Sequence, residues 1–143
     1  TTLDDVIAAP IGREAETVTG KVMALLESAR SGEISRSKLS ESLIELVSGQ
    51  DNNESVAQFE AYLAVRRRPE LSDPVQHIMQ ALEAATESAL KAFGIDEPHV
   101  PARQFVALID GFTLQEIARP GQLESRYALR DLMIRLLDSY LAG

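Results

Sequence analysis

The stretch DPVQHIMQALEAATESALKAFG, residues 73–94, decides the fold class. Its apolar residues recur at spacings of three and four, which is the period of one face of an α-helix and not of a β-strand. That face consists of Val75, Ile78, Met79, Leu82, Ala85, Ala89 and Phe93. Asp73 is expected to cap the helix with Pro74 at its first position, and Gly94 is typical of a helix end. The stretch therefore predicts one long amphipathic helix at about 74–93.

The segments on both sides of this helix repeat with the same period. Before it, apolar residues at helical spacing predict helices at about 14–30, 37–47 and 54–68. Ser31 and Gly32 are expected to end the first of these, and the third is expected to carry Val56, Phe59, Tyr62 and Leu63 on its inward side. After it, Pro98 and Pro101 are expected to form a corner, and apolar residues at helical spacing predict helices at about 102–118 and 122–141. Residues 1–13 contain a proline and a glycine and form an opening segment. Since no run of alternating β-branched residues is present, the sequence predicts an all-α fold with five or six principal helices, in a single domain over residues 1–143.

The composition limits what the chain does. Its 14 Lys and Arg residues stand against 22 Asp and Glu residues, and the net charge of −8 makes these residues alone a poor nucleic-acid binder. The absence of Cys excludes disulfides, thiolate nucleophiles and Cys-ligated zinc, and it favours a cytoplasmic location. No apolar run approaches the roughly 20 residues that span a bilayer, so no membrane partner is expected.

Sequence signatures of catalysis are missing. The chain has no phosphate-binding loop, dinucleotide fingerprint, His-Glu-x-x-His motif or nucleophile elbow. We therefore expect no enzyme, no cofactor and no metal site. His77 lies near Asp73, and His99 lies near Glu97, so a metal site or an acid–base pair is the alternative interpretation. The favoured interpretation is that both imidazoles lie at the surface near helix starts, because neither histidine shows the spacing of paired metal ligands.

An apolar stripe formed by Phe59, Tyr62 and Met79 has two interpretations. On periodicity alone the stripe is part of the core, because apolar faces are what helices bury. Gln58, Tyr62 and Thr86, however, place hydrogen-bonding groups beside apolar ones, and this mixture is typical of small-molecule pockets. A ligand cavity is therefore the alternative to a filled core.

The last predicted helix is apolar around much of its circumference. One face carries Leu129, Leu132, Leu136 and Tyr140, and another carries Met133, Leu137 and Leu141. One chain covers only one such face well, so we expect the second to be buried against another copy in a homodimer.

Gly111 lies inside the helix predicted at 102–118, where a glycine costs about 1 kcal/mol relative to alanine. Such a residue usually has a packing reason, because it permits close approach of a second helix. The contact is either within the chain or at a crossing point near a dimer interface, and the position alone leaves both open.

Two blocks of sequence resemble the effector domains of TetR-family transcriptional regulators. The first is QFEAYLAVRRRPELSDPV, residues 58–75, where an aromatic-Glu helix ends in an Arg-x-Pro-Glu-Leu-like turn before a long helix. The second is ARQFVALIDGFTLQEIARPG, residues 102–121, which is similar to the penultimate helix of the family, with its apolar-Asp-Gly-apolar centre. The resemblance covers roughly residues 54–141.

The resemblance implies a helical bundle of the TetR C-terminal type, in which the last two helices form a four-helix bundle with a second subunit. Combined with the faces described above, it assigns the dimer interface to Gly111, Phe112, Leu129, Met133, Leu136 and Tyr140. It places an effector pocket between the preceding helices, with Phe59, Tyr62, Met79 and Phe105 as ligand-binding residues. The implied partner is a small, apolar effector that relieves DNA binding by a repressor. DNA itself is expected to bind only through an N-terminal helix-turn-helix module, which we expect to be absent from these residues.

Two other classes of function remain as alternatives. A purely structural dimerisation module has the same helices but a filled core, so an internal cavity distinguishes it from an effector domain. A small helical enzyme uses His77 or His99 with a neighbouring carboxylate, and unchanged ligand binding and fold after replacement of both histidines would exclude that alternative.

Overall fold

The computed structural model describes residues 20–48 and 52–142, which contain helices and no strand. The helices are α1 at 20–30, α2 at Arg36–Ser48, α3 at Asn52–Ala64, α4 at Ser72–Ala92, α5 at His99–Ala118 and α6 at Leu123–Ala142, with a short 3-10 helix at Pro69–Leu71. The predicted all-α fold is confirmed. The predicted opening segment, the start of the first helix at 14–19 and the polar residues 49–51 lie outside the described residues. No helix within the described ranges is long and apolar enough to cross a membrane.

Two glycines end α1 and α4, as predicted. Gly32 and Gly94 have φ values of +84° and +98°, in the left-handed region that glycine adopts without a steric penalty. After α4, the amide of Gly94 donates to the carbonyl of Lys91 over 3.0 Å, and the amide of Ile95 donates to that of Leu90 over 3.2 Å. This is a Schellman motif, and its two bonds turn the side chain of Ile95 back into the core beside Leu90.

The starts of α4 and α5 differ from the predictions. α4 begins at Ser72, and its N-cap is Leu71 without a side-chain hydrogen bond, so the predicted cap by Asp73 was wrong. α5 begins at His99, which places Pro101 inside its first turn and not in the predicted corner. The first four amides of a helix lack intrahelical partners, so proline is tolerated at any of these positions. For this reason both helices begin before the proline that was expected to mark their start.

α4 is the central helix of the core. Three clusters of buried apolar side chains are present, and α4 contributes to each. The first joins α1, α2 and α4 through Val22, Leu26, Leu39, Ala85, Ala89 and Phe93. The second joins α3 and α4 through Ala61, Val75 and Ile78. The third joins α4 with α5 and α6 through Leu90, Ile95, Ala102 and Phe105. The amphipathic face predicted for this helix is the face that it buries.

α3 is rotated relative to its predicted face. Leu63, which was predicted to face inward, is 69% exposed, whereas the small side chain of Ala61 is buried against Val75 and Ile78 of α4. The short side chain of Ala61 fits beside Val75 and Ile78 in this cluster, where a larger side chain would need additional space. The polar side chain of Gln58 lies on the buried side as well.

Candidate functional site

A cavity of about 100 Å³ lies between α1, α2, α4, α5 and α6. Its walls are apolar side chains from all five helices, together with one threonine: Val22, Leu43, Thr86, Ala89, Leu90, Phe93, Phe105, Ile109, Met133, Ile134 and Leu137. An engineered cavity of about 150 Å³ with comparable walls binds benzene and stays free of water. The space is therefore of the right order for a small apolar molecule.

The cavity is partly open to solvent, and its wall includes Ile134, which is 40% exposed. Water gains little there, because an ordered water needs two to four polar partners and these walls offer few. An apolar ligand would cover apolar surface that water otherwise contacts, which is favourable.

Thr86 is the polar member of the cavity wall. Among the lining residues that the structure describes, no other side chain carries a hydroxyl, an amide or a charge. The Thr86 hydroxyl donates its hydrogen to the carbonyl of Leu82 over 2.9 Å. Its proton is therefore in use within α4, and what remains for a ligand is a hydrogen-bond acceptor.

The four predicted ligand-binding residues do not come together. Phe105 lines the cavity. Tyr62 and Met79 instead pack with the cluster between α3 and α4, where the ring of Phe59 meets that of Tyr62 at a centroid distance of 6.0 Å. The hydrogen-bonding groups noted in the sequence separate in the same way, because the amide of Gln58 donates to the Tyr62 hydroxyl over 2.8 Å, whereas Thr86 lines the cavity.

A half-buried carboxyl group lies near Tyr62. Burial raises the pKa of Asp110 to about 6. Burial, followed by the negative charge of Asp110, raises the pKa of Tyr62 to about 12, although the hydrogen bond from Gln58 acts in the opposite direction. Asp110 forms no ion pair or hydrogen bond with any residue in the described ranges, and Glu83 is the other carboxylate whose charge reaches Tyr62. The arrangement disfavours the charged form of Asp110.

Most of the side chains predicted for the dimer interface pack within the chain. Leu129 is 5% exposed, and Met133, Leu136 and Tyr140 pack against the cluster that joins α4, α5 and α6. Met133 also lines the cavity. This face of α6 therefore packs at least in part against the core of the same chain, and its place in a dimer interface stays a prediction.

A second side of α6 carries exposed apolar residues. Leu123 and Tyr127 are 67% and 68% exposed, and they are followed at seven-residue spacing by Ile134 and Leu141, which are 40% and 43% exposed. Spacings of four and seven place all four on one side of a helix. Ile134 has a double position, because it belongs to this side and also lines the cavity.

α5 exposes a face of small and apolar residues around Gly111. A Cβ atom built on Gly111 meets nothing within 4 Å, and Leu114, one turn away, is 53% exposed. The exposed face also contains Val100, Ala107 and Ala118. A close contact within the described part of the chain therefore does not account for the glycine, and its place in a dimer interface stays a prediction. Phe112, the other predicted interface residue on α5, is half-buried.

A wider groove runs along α1, α2 and α4 on the surface. Its walls include Leu26, Leu39, Arg30 and Lys91. Arg30 pairs with Glu27 of its own helix over 3.1 Å, so this guanidinium is already engaged. The groove lacks the aromatic and α6 side chains of the cavity, and the cavity is the stronger candidate for a ligand site.

The two histidines lie at the surface. His99 is 73% exposed and its Nδ1 atom lies 2.8 Å from Oε1 of Glu87, not beside Glu97. His77 is exposed on α4. Within residues 20–48 and 52–142, no three His, Cys, Asp or Glu side chains converge on a possible metal site. Neither histidine lines the cavity, so the enzyme alternative gains no support from this geometry.

Comparison with known families agrees with the fold. The family model described as tetracyclin repressor-like, C-terminal domain, matches residues 35–139, which is well over half of the chain. No curated protein and no solved structure gives a significant match. The matched region includes α2 to α5 and all but the end of α6, and these helices supply most of the cavity wall. The chain belongs to the tetracyclin repressor-like C-terminal domain family.

Proposed function

We propose that this chain is the effector-binding and dimerisation domain of a cytosolic TetR-like repressor. In this proposal a small apolar molecule occupies the cavity between the helices and changes the way in which two copies associate. A helix-turn-helix module of the same regulator contacts the operator, and the change in the dimer relieves that contact. Membership of the family and the apolar cavity support this function.

The position of Ile134 is the observation that carries the proposal. Its side chain forms part of the cavity wall and is also 40% exposed on the side of α6 that carries Leu123, Tyr127 and Leu141. A molecule in the cavity therefore touches the helix that a second copy would touch. Such an arrangement couples ligand binding to association, provided that the ligand favours one arrangement of the dimer over the other.

The exposed face of α5 is the second part of the proposed interface. The chain carries a net charge of −8, so two copies repel each other over most of their surface. None of the exposed residues on α5 is acidic, and Gly111 lets a second helix approach closely. We therefore place the crossing point at Gly111 and Leu114. Gly111 therefore remains in the proposed interface, as the sequence predicted. On α6, the exposed side chains of Leu123, Tyr127, Ile134 and Leu141 take the place of the predicted residues that pack within the chain.

Sedimentation velocity of the chain tests the dimer. We expect a dimer at tens of micromolar, and we expect Leu114→Glu to shift it to monomer, because a charge in an apolar interface is costly. Leu63→Glu is the matched control, since Leu63 is a leucine of α3 that is 69% exposed. It should remain dimeric. A monomeric wild-type chain, or equal effects of the two substitutions, would overturn the proposed interface.

A structural module without a ligand is the competing function. The two are separated by measuring the dimer dissociation constant with and without toluene, an apolar probe of cavity size. By thermodynamic linkage, the factor by which bound toluene changes the dimer dissociation constant equals the factor by which dimerisation changes the dissociation constant of toluene. A dissociation constant that does not respond to saturating toluene would favour the structural module.

A further inference from the structure

We propose that the cavity takes a neutral molecule with one aromatic ring and one hydroxyl group, and that Thr86 accepts a hydrogen bond from that hydroxyl. The inference rests on the proposed function, because it assigns a chemical class to the effector of the cavity. It is carried by the size of the cavity, the lack of charge in its walls and the direction of the hydrogen bond that Thr86 already makes.

The size of the cavity favours a single ring. About 100 Å³ is less than the roughly 150 Å³ of the engineered cavity that holds benzene, so one ring is about the largest group that these walls surround. The small difference is within reach of Met133, which lines the cavity, because its unbranched side chain adapts its shape easily.

The walls favour an aromatic ring. Phe93 and Phe105 line the cavity and are 5% and 4% exposed, so packing holds both rings in place. Aromatic pairs in edge-to-face or offset arrangements are more favourable than their buried area alone predicts. A planar ring fits between these side chains and the aliphatic groups of α6. A flexible ligand of equal volume could make the same contacts, but it would lose conformational entropy on binding.

The walls also exclude a charged ligand. No described lining residue is charged, and a carboxylate or an ammonium group in this space would lose its hydration without a compensating partner. The one cavity-lining hydroxyl, on Thr86, already donates to Leu82 and has only its lone pairs to offer. A ligand that matches it must donate, and a neutral hydroxyl is the group that does so without bringing a charge.

Phenol and toluene are the probes that test this class, since they have nearly the same shape and differ in the hydroxyl. Their dissociation constants are measured by NMR titration of the wild-type chain and of Thr86→Val, which keeps the side-chain shape and removes the hydroxyl. We expect Thr86→Val to weaken phenol about fivefold, the effect of one neutral hydrogen bond, and to leave toluene as tight or tighter. Thr86→Ser keeps the hydroxyl and should preserve the preference for phenol.

Two further measurements separate the ligand class from the site. Ala89→Leu fills the cavity and should abolish binding of both probes, and benzoate, a charged ring, should bind far more weakly than phenol to the wild-type chain. One combination of results would overturn the ligand class and keep the cavity as effector site. In that case toluene binds to the wild-type chain, Ala89→Leu abolishes toluene binding, and Thr86→Val leaves the dissociation constant of phenol unchanged. Benzoate binding as tightly as phenol also overturns the class. If neither phenol nor toluene binds to the wild-type chain, both the ligand class and the cavity as effector site are overturned.

Discussion

The ring of Phe105 on α5 packs against the ring of Tyr140 on α6, with centroids 6.2 Å apart and ring planes inclined by 53°. The Tyr140 hydroxyl donates to the side-chain oxygen of Gln104, also on α5. Because Phe105 is part of the cavity wall, this contact ties the wall to the C-terminal part of α6. Both the ring and the hydroxyl of Tyr140 are thus engaged within the chain.

A double-mutant cycle measures this contact. Phe105→Leu and Tyr140→Leu should each lower the free energy of unfolding by about 1 to 3 kcal/mol. The pair should show a coupling of about 1 kcal/mol, as aromatic contacts do beyond their buried area. The measurement is denaturant unfolding at one fixed protein concentration. If Tyr140→Leu instead dissociated the dimer without lowering the stability of the chain, the interface role that the sequence predicted for Tyr140 would be the correct one.

Filling the cavity should stabilise the chain without a ligand. Ala89 lines the cavity and is 8% exposed, so Ala89→Leu places three more carbon atoms into unfilled apolar space. We expect the free energy of unfolding to rise by about 1 to 2 kcal/mol, measured by denaturant titration.

Ala61→Leu is the matched control for this substitution. Ala61 is 3% exposed and packs against Val75 and Ile78, away from the cavity. There the same added volume should cost about 1 to 3 kcal/mol by overpacking. Equal destabilisation by the two substitutions would mean that the space beside Ala89 does not accept added atoms.

Asp110 should make stability depend on pH between about 4 and 6. Burial raises its pKa to about 6 in the folded chain, whereas a carboxyl of the unfolded chain deprotonates near its ordinary value of 3.8. Between these values the folded state binds more protons, so stability falls as pH rises through this window. Burial accounts for this shift, and no opposite charge or hydrogen bond from the described residues offsets it.

Replacing Asp110 by Asn removes this effect. At pH 8, Asp110→Asn should be more stable than wild type by about 1 to 2 kcal/mol, a figure reduced for the part of the carboxyl that water still reaches. At pH 4 the two should be nearly equal. Thermal unfolding at both pH values gives the answer, with Asp138→Asn on the exposed side of α6 as the control for loss of one negative charge. A less stable Asp110→Asn at pH 8 would show that the carboxylate has a favourable partner.

Gly111→Ala should have opposite effects on folding and on association. Alanine favours the helix by about 0.5 to 1 kcal/mol relative to glycine, and its Cβ atom meets nothing within 4 Å among the described residues. Unfolding of the dissociated chain should therefore require more free energy. Association should weaken, and should weaken further in Gly111→Leu, because the added atoms separate the crossing helices.

Dilution experiments distinguish the two effects of Gly111→Ala. Unfolding is followed well below the dimer dissociation constant, and the constant itself comes from sedimentation equilibrium. An unchanged dissociation constant in both Gly111 variants would remove the glycine from the interface and leave its place in α5 without a structural reason.

The sequence alone determined the helices, because the properties that specify them are local. Spacings of three and four identified the buried face of α4, and Gly32 and Gly94 marked the ends of two helices because their left-handed conformation favours glycine. Boundaries were less certain where a neighbouring turn competed. Pro101 looked like a corner residue and proved to be part of a first helical turn, since proline satisfies both settings.

Only the tertiary structure decided which apolar faces meet. Apolar packing has no direction, so a helical period shows that a face is buried without showing against which helix. Tyr62 and Phe105 looked equally suited to a pocket, yet Tyr62 packs between α3 and α4 and Phe105 lines the cavity. Met133 looked like an interface residue, but the packing of α6 against α4 and α5 turns it inward, while Ile134, the next residue along the chain, remains partly exposed. A rotation of 100° about the helix axis separates these two positions, and that rotation is set by contacts between residues far apart in the chain.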